Sequence, residues 1–559
     1  MRRLKAIGAL VAVGLLAAAC SAGKGGGNGG SNGNGSTKAT NTVTISNENG
    51  ALWTCNFSPF NGSDTLLSVG FVYEPLVYVN ALQNGKTTPM LASSWKWGSG
   101  NSSLTFTIRS GVKFSDGTPM TAADVVYTFN LIKKYPALDL TGDWAVLSSV
   151  TQAGSNQVVM KFKHPAVPAF YYIAGQTPIV PQHIWSKISN PVAYADSNPV
   201  GTGPYKVNPC TKANITYTAN PHYWQPGLPK VTKVQYPAFT SNNTANDQLA
   251  SGQAQWGSQY IPSIKSFYTA KSPNFHYWFP PTVNVSLIPN LKNSLLSNVK
   301  VRQAMSDAID RAKVSSIGES GYEPPANQAG IVTPTFSSWL NSALISKYNY
   351  SYNPARAKQI LASAGFKMGS DGIMANSKGQ KLSFSVINIG DYSDWVASMQ
   401  VVAQNLKAVG IQVTPDNLSN TDFTASLYTG KYQLAFYDQQ TFGPSPYYEL
   451  RNWLDSAGTA PIGKTATTNY ERYSNPATDK LFADYAASTS VTQQHAIIGQ
   501  VEQVMLSDLP IIPVVQAVDW YQYDDSSLTG WPTPGNPYAQ PAAYAYPDME
   551  QVLLHLKAK

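Results

Sequence analysis

Between residues 104 and 134 the apolar period changes from two to about 3.6 across a single turn. Leu104, Phe106 and Ile108 alternate with Thr105, Thr107 and Arg109, as a half-buried strand requires. Ser110-Gly111 interrupts that strand, and Asp116-Gly117 followed by Pro119 forms a turn. Thr121 then stands as an N-cap, with Asp124 three residues on, and opens a helix over AADVVYTFNLIKK. A chain that makes this switch must bury strand and helix against one another, which points to a mixed α/β architecture.

The same alternation returns downstream. A helix over 396–409 stops at Gly410 and leads into the strand IQVTP, and residues 353–364 carry an Asn cap, Pro354 at the first helical position and a stop at Gly365. In 298–314, Val301, Ala304, Met305, Ala308 and Ile309 form an apolar helical stripe, while Arg302, Asp307, Asp310 and Arg311 read as a solvated face with mutual pairing. Gly201 and Gly203 before Pro204 make a tight turn that needs either close backbone approach or positive φ. It is not a phosphate loop, since no GKS or GKT directly follows it. No period of 20–50 residues repeats.

The chain has 559 residues, enough for three or four domains or one large multi-lobed body. Charged residues are 13% and hydrophobic ones 43%, which excludes a wholly disordered chain. The polarity comes from Ser, Thr, Asn, Gln and 32 Tyr. Formal net charge is +8, and no basic run concentrates it, so a nucleic-acid partner is not expected. The six histidines are scattered and no CxxC occurs, so no metal site or cofactor is expected.

Residues 1–19 combine a basic start (Arg2, Arg3, Lys5) with an apolar stretch from Ala6 to Ala19, too short to span a bilayer comfortably. The string Leu16-Ala17-Ala18-Ala19-Cys20 resembles the lipobox of bacterial lipoproteins, with Cys20 as the lipidated residue. Residues 21–38 hold eight glycines and suit a flexible tether. The expected product is an exported, lipid-anchored body on the outer face of a membrane, with a charge of +5 once the leader's three cations are removed. Its two remaining cysteines, Cys55 and Cys210, are expected to pair in an oxidising compartment. No later apolar run approaches eighteen residues.

Six ordered stretches carry a family resemblance: LASSWKW at 91–97 with LTFTIRSGVKFSDGTPMTAADVVYTFN at 104–130, NPVGTGPYKV at 198–207, NPHYWQPGLPKVTKVQY at 220–236, VRQAMSDAIDRAKV at 301–314, YNPARAKQILASAGF at 352–366 and DLPIIPVV at 508–515. On these the chain resembles the extracytoplasmic solute-binding proteins of ABC importers, in family 5, the branch that handles oligopeptides, dipeptides and nickel chelates. The resemblance implies an α/β, two-lobed periplasmic-binding-protein fold with a hinge and an extra α/β domain packed on lobe one. Lobe one would comprise 41–80, 199–290 and 505–559, the extra domain 81–198, and lobe two 291–504. Cys55 and Cys210 would then share lobe one.

In that family a peptide lies extended in the cleft, its amino terminus met by an aspartate that follows a buried strand of lobe two. The matching stretch is YQLAFYDQQTFGPSPYYEL at 432–450, and an ungapped alignment places Phe442 at the aspartate and Gln439 at a usual tryptophan. Asp438 lies four residues early and serves only if the loop is rearranged. Gln439, Gln440, Thr441, Phe442, Tyr447 and Tyr448 offer neutral hydrogen bonds and stacking faces, and Trp53, Asn56 and Trp256 are further cleft candidates. An oligopeptide is therefore the ligand implied by the family, with an oligosaccharide or another neutral solute as the alternative. The implied mechanism is capture by hinge closure, then delivery by a monomeric receptor to permease and ATPase subunits. A secreted hydrolase is the rival class, but no HExxH occurs and no nucleophile elbow sits between a strand and a helix. A sensor presenting its ligand to a membrane kinase would share the same fold.

Overall fold

In the computed structural model the strand read at 104–108 spans Ser103–Ile108 and buries Leu104, Phe106 and Ile108. The helix that follows spans Ala122–Lys134. At its start the Asp124 carboxylate accepts hydrogen bonds from the backbone N–H and the hydroxyl of Thr121, at 2.8 and 3.0 Å. Residues 41–47, 51–62, 64–439 and 442–559 are described; the leader, Cys20 and the tether lie outside them, as do Gln440 and Thr441.

Two sheets organise the body. A seven-stranded sheet runs in the order Phe275–Tyr277, Gln522–Asp524, Trp256–Gly257, Thr42–Ser46, Lys233–Pro237, Asn214–Ala219, Tyr205–Cys210. A five-stranded sheet runs Gln412–Leu418, Ser383–Ile389, Leu434–Tyr437, Pro281–Pro289, Ile512–Val518. Each is the centre of one lobe. A separate four-stranded antiparallel sheet, Ala92–Trp97, Ser103–Ile108, Gln157–Phe162 and Leu147–Ala153, carries the helix Ala122–Lys134.

Strands Pro281–Pro289 and Ile512–Val518 pair with each other inside the five-stranded sheet, although the boundaries read from the sequence assign both to lobe one. The chain passes between the two sheets at 278–280 and 519–521, three-residue links that join these strands to Phe275–Tyr277 and Gln522–Asp524 of the seven-stranded sheet. Pro281–Pro289 is buried along its whole length. The four-stranded unit also touches both sides. The Ile179 N–H bonds Glu74 of the first lobe, and the Tyr448 hydroxyl bonds the Pro168 carbonyl at 2.8 Å.

Gly201 and Gly203 are required by close approach rather than by positive φ. A Cβ on Gly201 would lie 2.0 Å from the Val72 carbonyl oxygen, and one on Gly203 2.6 Å from that of Phe71. Cys55 and Cys210 are bonded, with Cα atoms 5.9 Å apart across 155 residues of sequence. On the chain-entropy model a loop of that size gains about 4–5 kcal/mol.

The solvated face expected on helix 298–314 is corrected. The segment divides into Val299–Ala308, Arg311–Lys313 and a π turn at Val314–Gly318, and Arg302, Asp307 and Arg311 are buried. Arg302 donates to the carbonyls of Leu296, Asp508 and Leu509, Arg311 to those of Ser306 and Pro513, and Asp307 pairs with Arg356. These guanidinium groups tie distant chain ends whose carbonyls would otherwise lack donors in the interior. Only Asp310 behaves as a local cap, accepting from the Lys313 N–H at 3.1 Å.

Candidate functional site

The parallel strands of both sheets end at one place. Strand Ser383–Ile389 runs parallel to Leu434–Tyr437, so their carboxyl ends lead into Asp391–Trp395 and Asp438 on the same edge. Strand Ile512–Val518 pairs Val518 with Pro281, which brings Asp519 beside Pro280, whose carbonyl accepts from the Asp519 N–H at 2.9 Å. In the other sheet Thr42–Ser46 and Trp256–Gly257 are parallel and end in Asn47 and Ser258–Tyr260. Ligand sites in open α/β sheets form outside the carboxyl ends of strands, where loops can turn side chains towards a shared space.

A cavity of about 1290 Å³ fills that space. Trp53, Ser258, Gln259 and Tyr260 line it from the seven-stranded side, and Glu323, Asp391, Tyr392, Asp394, Trp395, Asp438 and Phe442 from the five-stranded side. Tyr171, Tyr172 and Gln176 of the four-stranded unit close a third wall, and Asp519, Trp520, Gln540 and Tyr544 lie at the crossing. Six carboxylates line the cavity, Asp64 being the sixth, and among the described residues no Lys, Arg or His does.

The electrostatics are one-signed on the five-stranded side. Burial, and then the charges of Glu319, Asp394 and Asp438, push the Glu323 carboxyl well above the usual range. Glu319, behind it, is raised to about 8 by burial and by Asp394, against a hydrogen bond from the Ser398 hydroxyl. Burial also raises Asp394, which accepts from the Trp395 N–H at the start of helix Ser393–Lys407. Asp519 is raised to about 8 by burial and Asp548, with the Gln540 amide opposing.

Of the residues singled out from the sequence, Trp53 and Phe442 reach the cavity. The Trp53 indole N–H is spent on the Tyr236 carbonyl at 2.8 Å, which leaves its ring to face the space. The Phe442 carbonyl accepts from the Tyr171 hydroxyl at 3.2 Å, joining two walls. Asn56 lies off the cavity wall and caps its own turn through the Ser58 N–H. Trp256 is fully buried, donating to Pro541 and packing edge-on against Trp531. Gln439 is buried beside Asn452, and Tyr447 stacks on Tyr485 at 4.3 Å, both away from the cavity. Gln440 and Thr441 lie outside the described residues. Asp438, four residues early on the ungapped alignment, does line the cavity. Glu323, Asp394 and Asp519 carried no sequence expectation; for Asp394 and Asp519 the available signal was an acid within a few residues of the end of a buried strand, and Glu323, which follows the π turn Val314–Gly318, had none.

Residues 86–461 match the family model described as bacterial extracellular solute-binding proteins, family 5. The oligopeptide-binding protein AppA of Bacillus subtilis is 29% identical over 448 residues, covering 75% of this chain and 76% of its own. A solved periplasmic oligopeptide-binding protein of an oligopeptide ABC transporter from Thermotoga maritima superposes with a TM-score of 0.84 at 27% identity, over 93% of this chain and 99% of that one. The mannohexaose-bound structure of the Thermotoga maritima protein gives 0.78 at 26% identity, with the same coverage. The two lobes, the cavity where their strands end and the match over residues 86–461 place this chain among the bacterial extracellular solute-binding proteins of family 5.

Proposed function

We propose that this protein is the substrate-binding subunit of an ABC importer and that its ligand is an oligopeptide. The observation that carries the ligand class is the cavity wall: six carboxylates and, among the described residues, no cationic side chain. A protonated amino terminus answers that wall, because a buried carboxylate gains most from a charge-bearing partner. Asp438, directly after strand Leu434–Tyr437, is the group best placed to receive it. Contacts from both walls stabilise a closed arrangement by differential affinity, with the links 278–280 and 519–521 between the two sheets as the hinge. The role proposed for the chain is binding and delivery to permease and ATPase subunits.

Residues 1–19 are proposed as the signal segment and 20–40 as the lipidated Cys20 and its tether, which would hold a monomeric receptor at the outer face of the cell membrane. Lobe one is proposed to draw on 41–80, 199–280 and 519–559, the four-stranded unit on 81–198, and lobe two on 281–518.

A second reading, an oligosaccharide, is favoured by the rings of Trp53, Tyr260, Trp395 and Trp520 at the cavity, since a sugar's apolar face lies against such rings. Thermal unfolding against tri- to pentapeptides and against manno- and cello-oligosaccharides separates the two. A ligand at about 100 times its dissociation constant adds about 2.7 kcal/mol. Stabilisation by peptides that is weakened by acetylating their amino termini is the expected outcome. Stabilisation by sugars alone would overturn the peptide reading.

A further inference from the structure

One ammonium group does not use the whole of the acidic wall. Glu323 is only 3% exposed yet lines the cavity, and its Oε2 has no hydrogen-bond partner. The charges that act on it, Glu319, Asp394 and Asp438, are all negative. An unpaired carboxyl in that position is costly unless something that binds there completes it.

Its placement is rigid. The Ser315 hydroxyl holds the Glu323 carbonyl at 2.6 Å, and the next three residues are clamped to strand Ile512–Val518 through Gln516 N–H to Pro324, Ala326 N–H to Val514 and a bridge between Pro325 and Val515. Beneath it the π turn Val314–Gly318 packs so tightly on helix Ser393–Lys407 that a Cβ on Gly318 would lie 1.9 Å from the Ser398 hydroxyl oxygen. Next to Glu323 stands an aromatic cluster: Tyr322 meets Tyr260 and Trp520 edge-on, with ring centroids 6.0 Å apart in both pairs. Tyr260 and Trp520 line the same cavity. A preorganised carboxylate beside aromatic rings recognises a cation carried on an apolar stem, as a lysine or arginine side chain is.

We propose that Glu323, with Asp394 facing it and Tyr260 and Trp520 beside it, forms a subsite for a cationic side chain of the ligand, so that the protein selects basic peptides over neutral ones. The subsite rests on the peptide reading above and is separate from the group that receives the amino terminus. Selectivity here is a difference of affinities: a neutral side chain leaves Glu323 unpaired, and a cationic one completes it.

The test uses the purified full-length chain and a set of pentaalanine peptides in which a single Lys is moved from position to position, each with a Met twin of similar length. At one position the Lys peptide should bind about ten- to a hundredfold tighter than its Met twin. Glu323→Gln should remove most of that preference while leaving the Met twins unchanged. The preference should survive acetylation of the amino terminus. Equal affinity for Lys and Met twins at every position, or an E323Q effect that disappears on acetylation, overturns the side-chain subsite. If E323Q fails to fold, the Lys-to-Met ratio of the unmodified chain and of Asp394→Asn decides the matter on the same criterion. Binding of oligosaccharides with no binding of any pentapeptide would instead overturn the peptide reading itself, which is a different result from peptide binding without a Lys preference.

Discussion

The two principal walls of the cavity differ in how far their polar groups are already occupied. On the seven-stranded side Trp53 donates to the Tyr236 carbonyl, the Ser258 hydroxyl accepts from the Ala543 N–H, and Asp64 accepts from Thr54 and Asn61. On the five-stranded side Glu319, Glu323 and Asp394 crowd together: burial first and acidic neighbours second push Glu319 and Glu323 upward, and burial raises Asp394. One wall is largely finished by the fold, the Gln259 Oε1 being unpartnered there, and offers shape; the other is left charged and offers selectivity. A binding protein gains from this division, because the finished wall costs nothing to organise and the unfinished wall distinguishes among ligands.

The largest expected effect comes from a core aromatic behind the seven-stranded wall. Trp256→Ala should destabilise the body by about 3–5 kcal/mol through the cavity it leaves, with no matching change in ligand affinity, as read by denaturant unfolding alongside calorimetric titration. A loss of affinity as large as the loss of stability would erase the distinction between the walls.

The pH dependence comes next. Glu319, Glu449 and Asp519 have folded-state values of about 8, against ordinary unfolded values near 4. Between those limits the folded state holds protons that the unfolded state has released, so stability must fall as pH rises. It is fully present below about pH 4 and lost as pH climbs through about 8. The melting temperature of the ligand-free protein should therefore drop by several degrees between pH 5 and pH 8, and a flat profile would contradict the crowding.

Asp394→Asn should raise stability at pH 8 by about 1 kcal/mol, because it removes a charge that opposes Glu319 and Glu323, and it should weaken cationic peptides at the same time. The smallest effect belongs to Asp64→Asn on the finished wall. Its neutral partners remain, so binding should change by less than about 0.5 kcal/mol. Titration calorimetry of both variants side by side sharpens the contrast.

Local order was well written in the sequence. The alternation at 104–108, the Asp124 contact at Thr121, and the Asn353 cap accepting from the Arg356 N–H all depend on neighbours within four residues. Burial of polar groups was not legible, because it depends on what packs over them. Arg302 and Arg311 read as surface until the carbonyls of Leu509 and Pro513, some 200 residues away, came to lie beside them. The cavity shows the same limit. Trp53 lies in the segment after strand Thr42–Ser46 and Trp256 in the strand paired with it, yet one faces the space and the other fills the core. The acids of the charged wall come from the ends of strands Ser383–Ile389, Leu434–Tyr437 and Ile512–Val518 and from the segment around Glu323, which only sheet order brings together. The ungapped alignment that put Phe442 at the aspartate position treated the loop as rigid, and Asp438 reaches the cavity beside Phe442 all the same.

The most direct measurement is the number of protons exchanged on binding at pH 7, obtained by titrating a lysine-containing pentapeptide into the full-length chain in two buffers of different ionisation enthalpy. A cation arriving at Glu323, with Glu319, Asp394, Asp438 and Tyr544 around it, favours the ionised carboxyls and so expels protons. Net proton release is the expected result. Binding heats that are identical in the two buffers, or net proton uptake, would contradict a charged wall that completes itself with the ligand.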